Sequence, residues 1–219
     1  MSACFVTATG TDLGKTYVLC RILAQLRSRG VRVHALKPVL SGFVASDPAS
    51  TDSGRLLLAQ GIPANEETIS AITPWRFVPP LSPDMAAARA GVTVSLDEVE
   101  SFCRKAEGGH DQLFVEGAGG VMSPMGSDFL NIDLMSRLKA KAILVSGGYL
   151  GTISHTLTAL AALKARDVPV AAIVLSGAGT LPVPLEETRQ SLLRFQSVPV
   201  YCVVAGGDVP AALVDALQA

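Results

Sequence analysis

FVTATGTDLGKTYVLC, residues 5–20, runs an apolar strand into a glycine-bearing turn and then straight into a helix. At its centre Gly14-Lys15-Thr16 has the ending of a phosphate-binding loop, whose usual form is G-x-x-x-x-G-K-[ST]. Counted back from Gly14, the first glycine belongs at position 9, but Thr9 stands there and Gly10 follows one place late. The setting supports the motif despite this spacing. Val18, Leu19, Ile22, Leu23 and Leu26 recur at helical intervals after it, and Gly30 is a natural stop. Free backbone N–H groups at such a helix start favour an anion. Lys15 can reach β- and γ-phosphates, and the Thr16 hydroxyl can ligate Mg2+. The plain alternative is a chance G-K-T on a surface helix, and the strand–turn–helix context weighs against it.

The same alternation continues along the chain. Apolar runs predict strands over 3–8, 31–39, 111–120, 141–148, 168–179 and 198–204. Helical periodicity predicts helices over 15–30, 53–60, 95–107, 152–167, 185–195 and 209–218. Ser95 and Glu98 form a capping-box pattern at the start of one of them. From 40 to about 84 the pattern loosens into Ser, Asp, Pro and Gly. Continuous apolar strands separated by helices imply a single α/β domain over 1–219, with a parallel β-sheet flanked by helices on both faces. The chemistry-bearing residues fall just past strand carboxyl ends: the 9–16 loop, Lys37, Glu116-Gly117, Gly147-Gly148 and Ser176-Gly177. Open parallel sheets bind ligands along that edge.

Composition narrows the function classes. Lys and Arg number 18 against 19 Asp and Glu, which gives no argument for a nucleic acid or an anionic membrane as partner. Apolar runs such as AAIVL (171–175) fall far short of a membrane span. Cys4, Cys20, Cys103 and Cys202 share no C-x-x-C spacing and read as buried small hydrophobes in a reducing compartment. Met1-Ser2-Ala3 runs directly into the first strand without a signal segment, so a cytoplasmic location is expected. No G-x-S-x-G elbow supports a serine hydrolase, and His34, His110 and His155 are scattered.

Three further segments carry candidate chemistry. In KPVLSG, Lys37 at a strand end can neutralise charge on a transferring phosphoryl group, with Ser41 nearby. Its replacement by alanine is expected to abolish activity while sparing the fold. In FVEGAGG, Glu116 ends a hydrophobic strand where phosphate-loop proteins often hold an acid for Mg2+, and the glycines after it allow close backbone approach. Asp52 in STDSGR is most simply the N-cap of the next helix. GGYLGTISHT, 147–156, is either a second anion site suited to a carboxylate or an ordinary strand–helix turn.

With TGTDLGKT, KPVLSG, VEGAGG and LGTISHT in this order, the sequence resembles the dethiobiotin synthetase family over nearly its whole length, fading after about residue 180. The resemblance implies a phosphate-loop NTPase fold, a homodimer, and conversion of 7,8-diaminopelargonate and CO2 (or bicarbonate) into dethiobiotin with ATP and Mg2+. It implies that Lys15, Lys37 and Thr11 are catalytic and that Thr16, Asp52 and Glu116 hold the metal. Asp12, Leu13, Gly14, Lys15, Thr16 and Tyr17 would bind the nucleotide, with Glu116, Gly117, Ala118, Gly119, Ser176 and Gly177. Thr11, Lys37, Ser41, Gly117, Leu150, Gly151, Thr152 and Ser154 would bind the substrate, the last four across the subunit boundary. The family loop runs G-T-x-T-x-x-G-K-T, so its first glycine is Ala8 here. Ser176, Asp84 and Ser154 replace the family's Asn, His and Asn, and a late G-x-I-P segment is missing. A nucleotide-switch ATPase of the partitioning type and a nucleotide-binding pseudoenzyme are the alternatives. The partitioning proteins carry an early loop lysine, and no Lys occurs in 1–14.

Overall fold

β1 (Cys4–Ala8) is almost wholly buried and lies between β5 (Gln112–Glu116) and β6 (Lys141–Gly147). The computed structural model describes residues 3–218, so the expectation for Met1 and Ser2 lies outside the described residues. With β2 (Val33–Leu36), β7 (Val170–Ser176) and β8 (Val200–Val203), these strands form a six-stranded sheet in the order β2-β5-β1-β6-β7-β8. Each pairing in it is parallel. The chain moves from β1 outward to β2 on one side and from β6 to β7 on the other. Right-handed crossovers therefore put α1 (Lys15–Ser28) and α7 (Thr152–Ala165) on opposite faces. The switch in direction falls at the carboxyl end of β1, where open α/β sheets bind their ligands.

α1 turns Val18, Leu19, Ile22, Leu23 and Leu26 fully inward, the stripe expected from its spacing. α5 (Leu96–Lys105) starts with the Ser95–Glu98 capping box in both directions. α8 (Leu185–Leu193) and α9 (Ala211–Gln218) also follow the sequence pattern. Among the described residues no helix is long and apolar enough to cross a membrane.

The differences lie between β2 and β5. β2 stops at Leu36, short of the expected 39, because Pro38 cannot donate to a ladder. The chain then leaves the sheet as β3 (Val39–Ser41), which pairs in parallel with β4 (Trp75–Phe77) in a separate two-stranded sheet. α3 (Glu66–Ile72), α4 (Pro83–Arg89) and α6 (Asn131–Leu138) are also additions to the expected elements. The Lys37 amide donates to Ile72 O at 3.1 Å, so this excursion holds the lysine's backbone.

α2 (Asp52–Ala59) corrects the reading of Asp52 as an N-cap. Thr51 is the cap: its hydroxyl accepts from the Gly54 amide at 3.2 Å and donates to Pro48 O at 2.6 Å. Asp52 is instead the first helical residue, and its carboxylate is free for a partner elsewhere. Gly54 packs directly on the 48–50 turn, where an added Cβ would come within 2.1 Å of Pro48 O. Thr51→Ala is expected to lower stability by about 1 kcal/mol, measured by urea denaturation, while Thr51→Ser retains most of it.

Candidate active site

Ala8 ends β1 with no exposure, and the Thr9 amide donates to Val145 O at 3.0 Å. Its φ is not positive, so its methyl group strains nothing. The loop then reaches α1 through Asp12 at φ 57° and Gly14 at φ 87°. Gly14 has a second reason to be glycine: a Cβ there would lie 2.9 Å from Ser176 Oγ. Leu13 points away from the loop's concave side, against Gly10 and Gly147, so only its backbone can face a phosphate. The Lys15 ammonium reaches back to Gly10 O at 3.4 Å. Burial, and then Lys37, hold its pKa below the ordinary lysine value, with Glu116, Asp52 and Asp12 pulling the other way.

Four elements meet beside this loop. Lys37 Nζ donates to Glu116 Oε1 at 2.6 Å and lies 3.0 Å from Asp52 Oδ2. The Thr16 hydroxyl donates to the same Glu116 Oε1 at 2.7 Å. The Lys37 side chain is only 3% exposed and that of Glu116 is 0% exposed. Burial works against the Lys37 charge, but Glu116 and Asp52 outweigh it and raise its pKa above the ordinary value. The attraction of Lys37 in turn holds the Asp52 carboxyl below the usual carboxylate range, against its own burial.

A cleft of about 650 Å³ opens over this cluster. Thr11, Asp12, Gly14, Lys15, Thr16, Tyr17, Lys37, Ser41, Asp52, Ala118 and Gly119 all line it. Glu116 forms its floor through Thr16 and Lys37. Its far wall is the 80–83 segment, and Arg55 stands one turn beyond Asp52. Family resemblance pointed to the segment around Asp84 without giving it a role, and sequence reasoning missed Arg55, because a single Arg carries no motif.

The cluster fits a magnesium ion. Glu116 Oε2 is buried without a hydrogen-bond partner among the described residues, Asp52 lies beside it across Lys37, and Thr16 adds a hydroxyl oxygen. Among the described residues no three His, Cys, Asp or Glu side chains converge. Mg2+ does not need them, since it keeps waters and takes phosphate oxygens with only one or two carboxylates.

Other expected site residues have different settings. Gly117 is glycine because a Cβ would lie 2.3 Å from Asn131 Oδ1 and 2.8 Å from Phe5, not because a ligand approaches it. Ala118 and Gly119 are the part of that loop that faces the cleft. Ser176 is buried under Gly14, Gly177 packs against the 203–205 backbone, and Ala178 lines the cleft in their place. The Tyr17 hydroxyl donates to Gly207 O at 2.6 Å, tying α1 to the last loop. Leu150, Gly151, Thr152 and Ser154 lie off this cleft. Leu150 is 91% exposed, and Gly151 caps α7 at φ 96°. The Thr152 hydroxyl is already engaged with Ser146 and Gly147 O, so that turn can offer an anion its backbone N–H groups but not this hydroxyl. Cys4, Cys20 and Cys103 are pushed up to about 12 by burial, which suits inert thiols.

A parallel sheet with a glycine-lysine-threonine loop at its switch point, beside a buried acid that accepts from the loop threonine, defines a phosphate-loop nucleoside triphosphatase. The fold agrees with solved structures of that class. A ParA family ATPase from Chlorobium tepidum TLS superposes with a TM-score of 0.55 at 13% identity, covering 99% of this chain and 89% of that one. The cell division ATPase MinD of Pyrococcus furiosus gives 0.52 at 19% identity over 93% and 84%. The family described as AAA domain matches residues 2–206. The ATP-dependent dethiobiotin synthetase of Acidiphilium cryptum is 46% identical over 89% of this chain and 88% of its own length. That of Caulobacter sp. strain K31 is 45% identical over 100% and 95%, and that of Bacillus cereus strain G9842 is 37% identical over 91% and 81%. The chain belongs to the dethiobiotin synthetase family. The alignment with the Caulobacter relative extends past residue 180 over the whole chain.

The burial of Lys37 changes the expected outcome of removing it. Lys37→Ala leaves the Glu116 charge buried with only Thr16 for company, so it is expected to cost about 3–5 kcal/mol of stability. Adding Glu116→Gln to that variant should recover more than half, as read from urea unfolding of the wild type, each single variant and the double variant. Acid sensitivity follows from Asp52. Its folded pKa is depressed, so its contribution is present above the unfolded value of about 4 and lost as pH falls through the folded value. Asp52→Asn is expected to flatten the acid limb of a stability–pH curve.

Proposed function

We propose that the chain is an ATP- and Mg2+-dependent carbon–nitrogen ligase that closes 7,8-diaminopelargonate and CO2 into the cyclic urea of dethiobiotin. The observation that carries this reading is the convergence of Lys15 and Lys37 on one cleft in a chain with end-to-end likeness to dethiobiotin synthetases. Three steps are required. One substrate amine adds to CO2 and loses a proton, giving a carbamate. A carbamate oxygen attacks the γ-phosphorus, and ADP departs, leaving a carbamic–phosphoric anhydride. The second amine adds to the carbonyl carbon, loses a proton and expels phosphate.

The side chains suit these steps by position and charge. Asp12, Leu13 and Gly14 supply loop backbone to the phosphates, and Lys15 stabilises the transferring phosphoryl group. Lys37, held charged by Glu116 and Asp52, faces the same cleft, where carbamate and phosphate bring negative charge together. Thr11 and Ser41 line the cleft beside it and orient the carbamate. The amides of Ala118 and Gly119 have no partner among the described residues and provide further donors. Magnesium, held by Thr16, Asp52 and Glu116, supplies charge neutralisation at the phosphates. No acid–base pair is needed, since holding amine, carbon dioxide and phosphate in line can itself remove about 7–11 kcal/mol of barrier. Tyr17 and Ala178 flank the nucleotide, with Ser176 and Gly177 supporting that wall from beneath.

The enzyme acts as a homodimer in the cytoplasm, with residues 1–219 as one domain. α7 supports the dimer. It carries Ile153, Leu157 and Leu160 on partly open faces, and it borders a hollow of about 510 Å³ with Met122, itself 55% exposed. Its amides at Ile153 and Ser154, without partners among the described residues, take the substrate's carboxylate tail from a second subunit in this reading.

Purified protein given Mg-ATP, bicarbonate and the diamine is expected to release ADP and phosphate and to fix labelled bicarbonate into an acid-stable product, with turnover lost when any one is omitted. ATP hydrolysis that ignores the diamine would overturn the ligase reading. Sedimentation is expected to return a dimer at assay concentration, and a fully active monomer would remove the shared carboxylate site.

A further inference from the structure

Asn131, the first residue of α6, is 0% exposed and belongs to no expected motif. Its Nδ2 donates to Ala118 O at 2.6 Å and to Gly120 O at 2.7 Å. Two carbonyls at those distances require an NH2 group between them, so the amide can be oriented only one way. Its Oδ1 is then left buried and, among the described residues, unpartnered, where a Cβ on Gly117 would lie 2.3 Å from it. An unpaired buried carbonyl is costly, so this arrangement persists against a local penalty.

The clamp sorts the backbone groups of the 117–120 loop. The Gly117 amide donates to Val6 O, and the Gly120 amide donates to Ser123 Oγ. The carbonyls of Ala118 and Gly120 are drawn onto Asn131, away from the cleft. The amides of Ala118 and Gly119 remain, without partners among the described residues, on the two loop residues that line the cleft. Gly119 holds φ 67°, which turns consecutive amides toward a common side.

We propose that Asn131 is a positioning residue for the ligase reaction. By holding the Ala118 and Gly120 carbonyls on its own amide, while Lys37 takes the Gly117 carbonyl at 3.5 Å, it keeps the Ala118 and Gly119 amides as this loop's donors toward the carbamate and the departing phosphate. With the clamp gone, a carbonyl swings toward the same anions and repels them. The proposal rests on the ligase reading above and sharpens it by naming what holds the donors in place.

The test is Asn131→Asp, which has the same shape but sets a carboxylate against two carbonyls. Misplacing one preorganised donor costs about 10²–10³ in rate, so kcat at pH 8 is expected to fall by about 10²-fold, while the Kd for Mg-ADP stays within about twofold. Lowering the pH protonates the new carboxyl, which can then donate to one carbonyl, so kcat relative to wild type rises between pH 8 and 6. If this variant does not fold, Asn131→Ala, which adds no charge, is read by the same split between kcat and ADP affinity. A folded variant with unchanged kcat overturns the proposal, and so does a parallel loss of ADP binding and kcat that tracks lost stability. Failure of wild-type protein to turn over the diamine would instead overturn the underlying ligase reading.

Discussion

An ammonium group buried between two carboxylates sets the terms for the rest of this molecule. Taking either charge of the Lys37–Glu116 pair out of water carries a penalty of several kcal/mol, and only good geometry between them offsets it. That geometry depends on strand order. Lys37 follows β2, Glu116 ends β5 and the phosphate loop follows β1, and these are three neighbouring strands. Move β2 away from β5, and a charge is left buried without its partner. Asp52 is brought in by the excursion between β2 and β5, whose α3 carbonyl at Ile72 also holds the Lys37 backbone. One oxygen of Glu116 is left unpaired, so the cluster is complete as a charge balance but not as a hydrogen-bond network.

The regular elements were legible because fully buried parallel strands appear in sequence as unbroken apolar runs, and the helices between them keep a clear period. The central excursion was not. α3, β4 and α4 are seven, three and seven residues long, too short for a period to declare itself. α6 begins after Leu130, with none of the usual capping side chains at that position. Lys15, Thr16, Lys37 and Glu116 could be read because local motifs mark them. Asp52 could be named only through family resemblance, since its partner lies across space and its neighbour Thr51 performs the capping that its residue type suggests. Asn131 had no sequence signal, because it acts by gripping backbone.

The unusual spacing of the phosphate loop also has a physical reading. The loop spends its extra length on a left-handed Asp12 ahead of the left-handed Gly14. The position of the missing glycine, Ala8, remains ordinary strand, so a methyl group is tolerated. Crowding occurs one layer away. A Cβ on Gly120 would meet Ala8 O at 3.1 Å and the Gly10 amide at 3.2 Å. The two glycine-bearing loops therefore lie backbone to backbone, and the Val121 amide bonds Ala8 O at 2.9 Å. The two sides of the cleft brace each other through main chain as well as through the Thr16–Glu116 hydrogen bond.

The strand order bears on how the chain comes to be folded. Within the six-stranded sheet, Cys4 has Phe114 and Lys141 as its partners, and Val33 has Gln112. β1 and β2 are never neighbours. During synthesis at roughly 5–20 residues per second, β1 waits on the order of 5–20 s for its first partner. Through that interval two apolar strands, with the phosphate loop between them in the chain, have open edges and nothing native to pair with. The segment with the most recognisable chemistry is thus the one most dependent on late-arriving chain, and the one most open to capture by a chaperone or by another nascent copy.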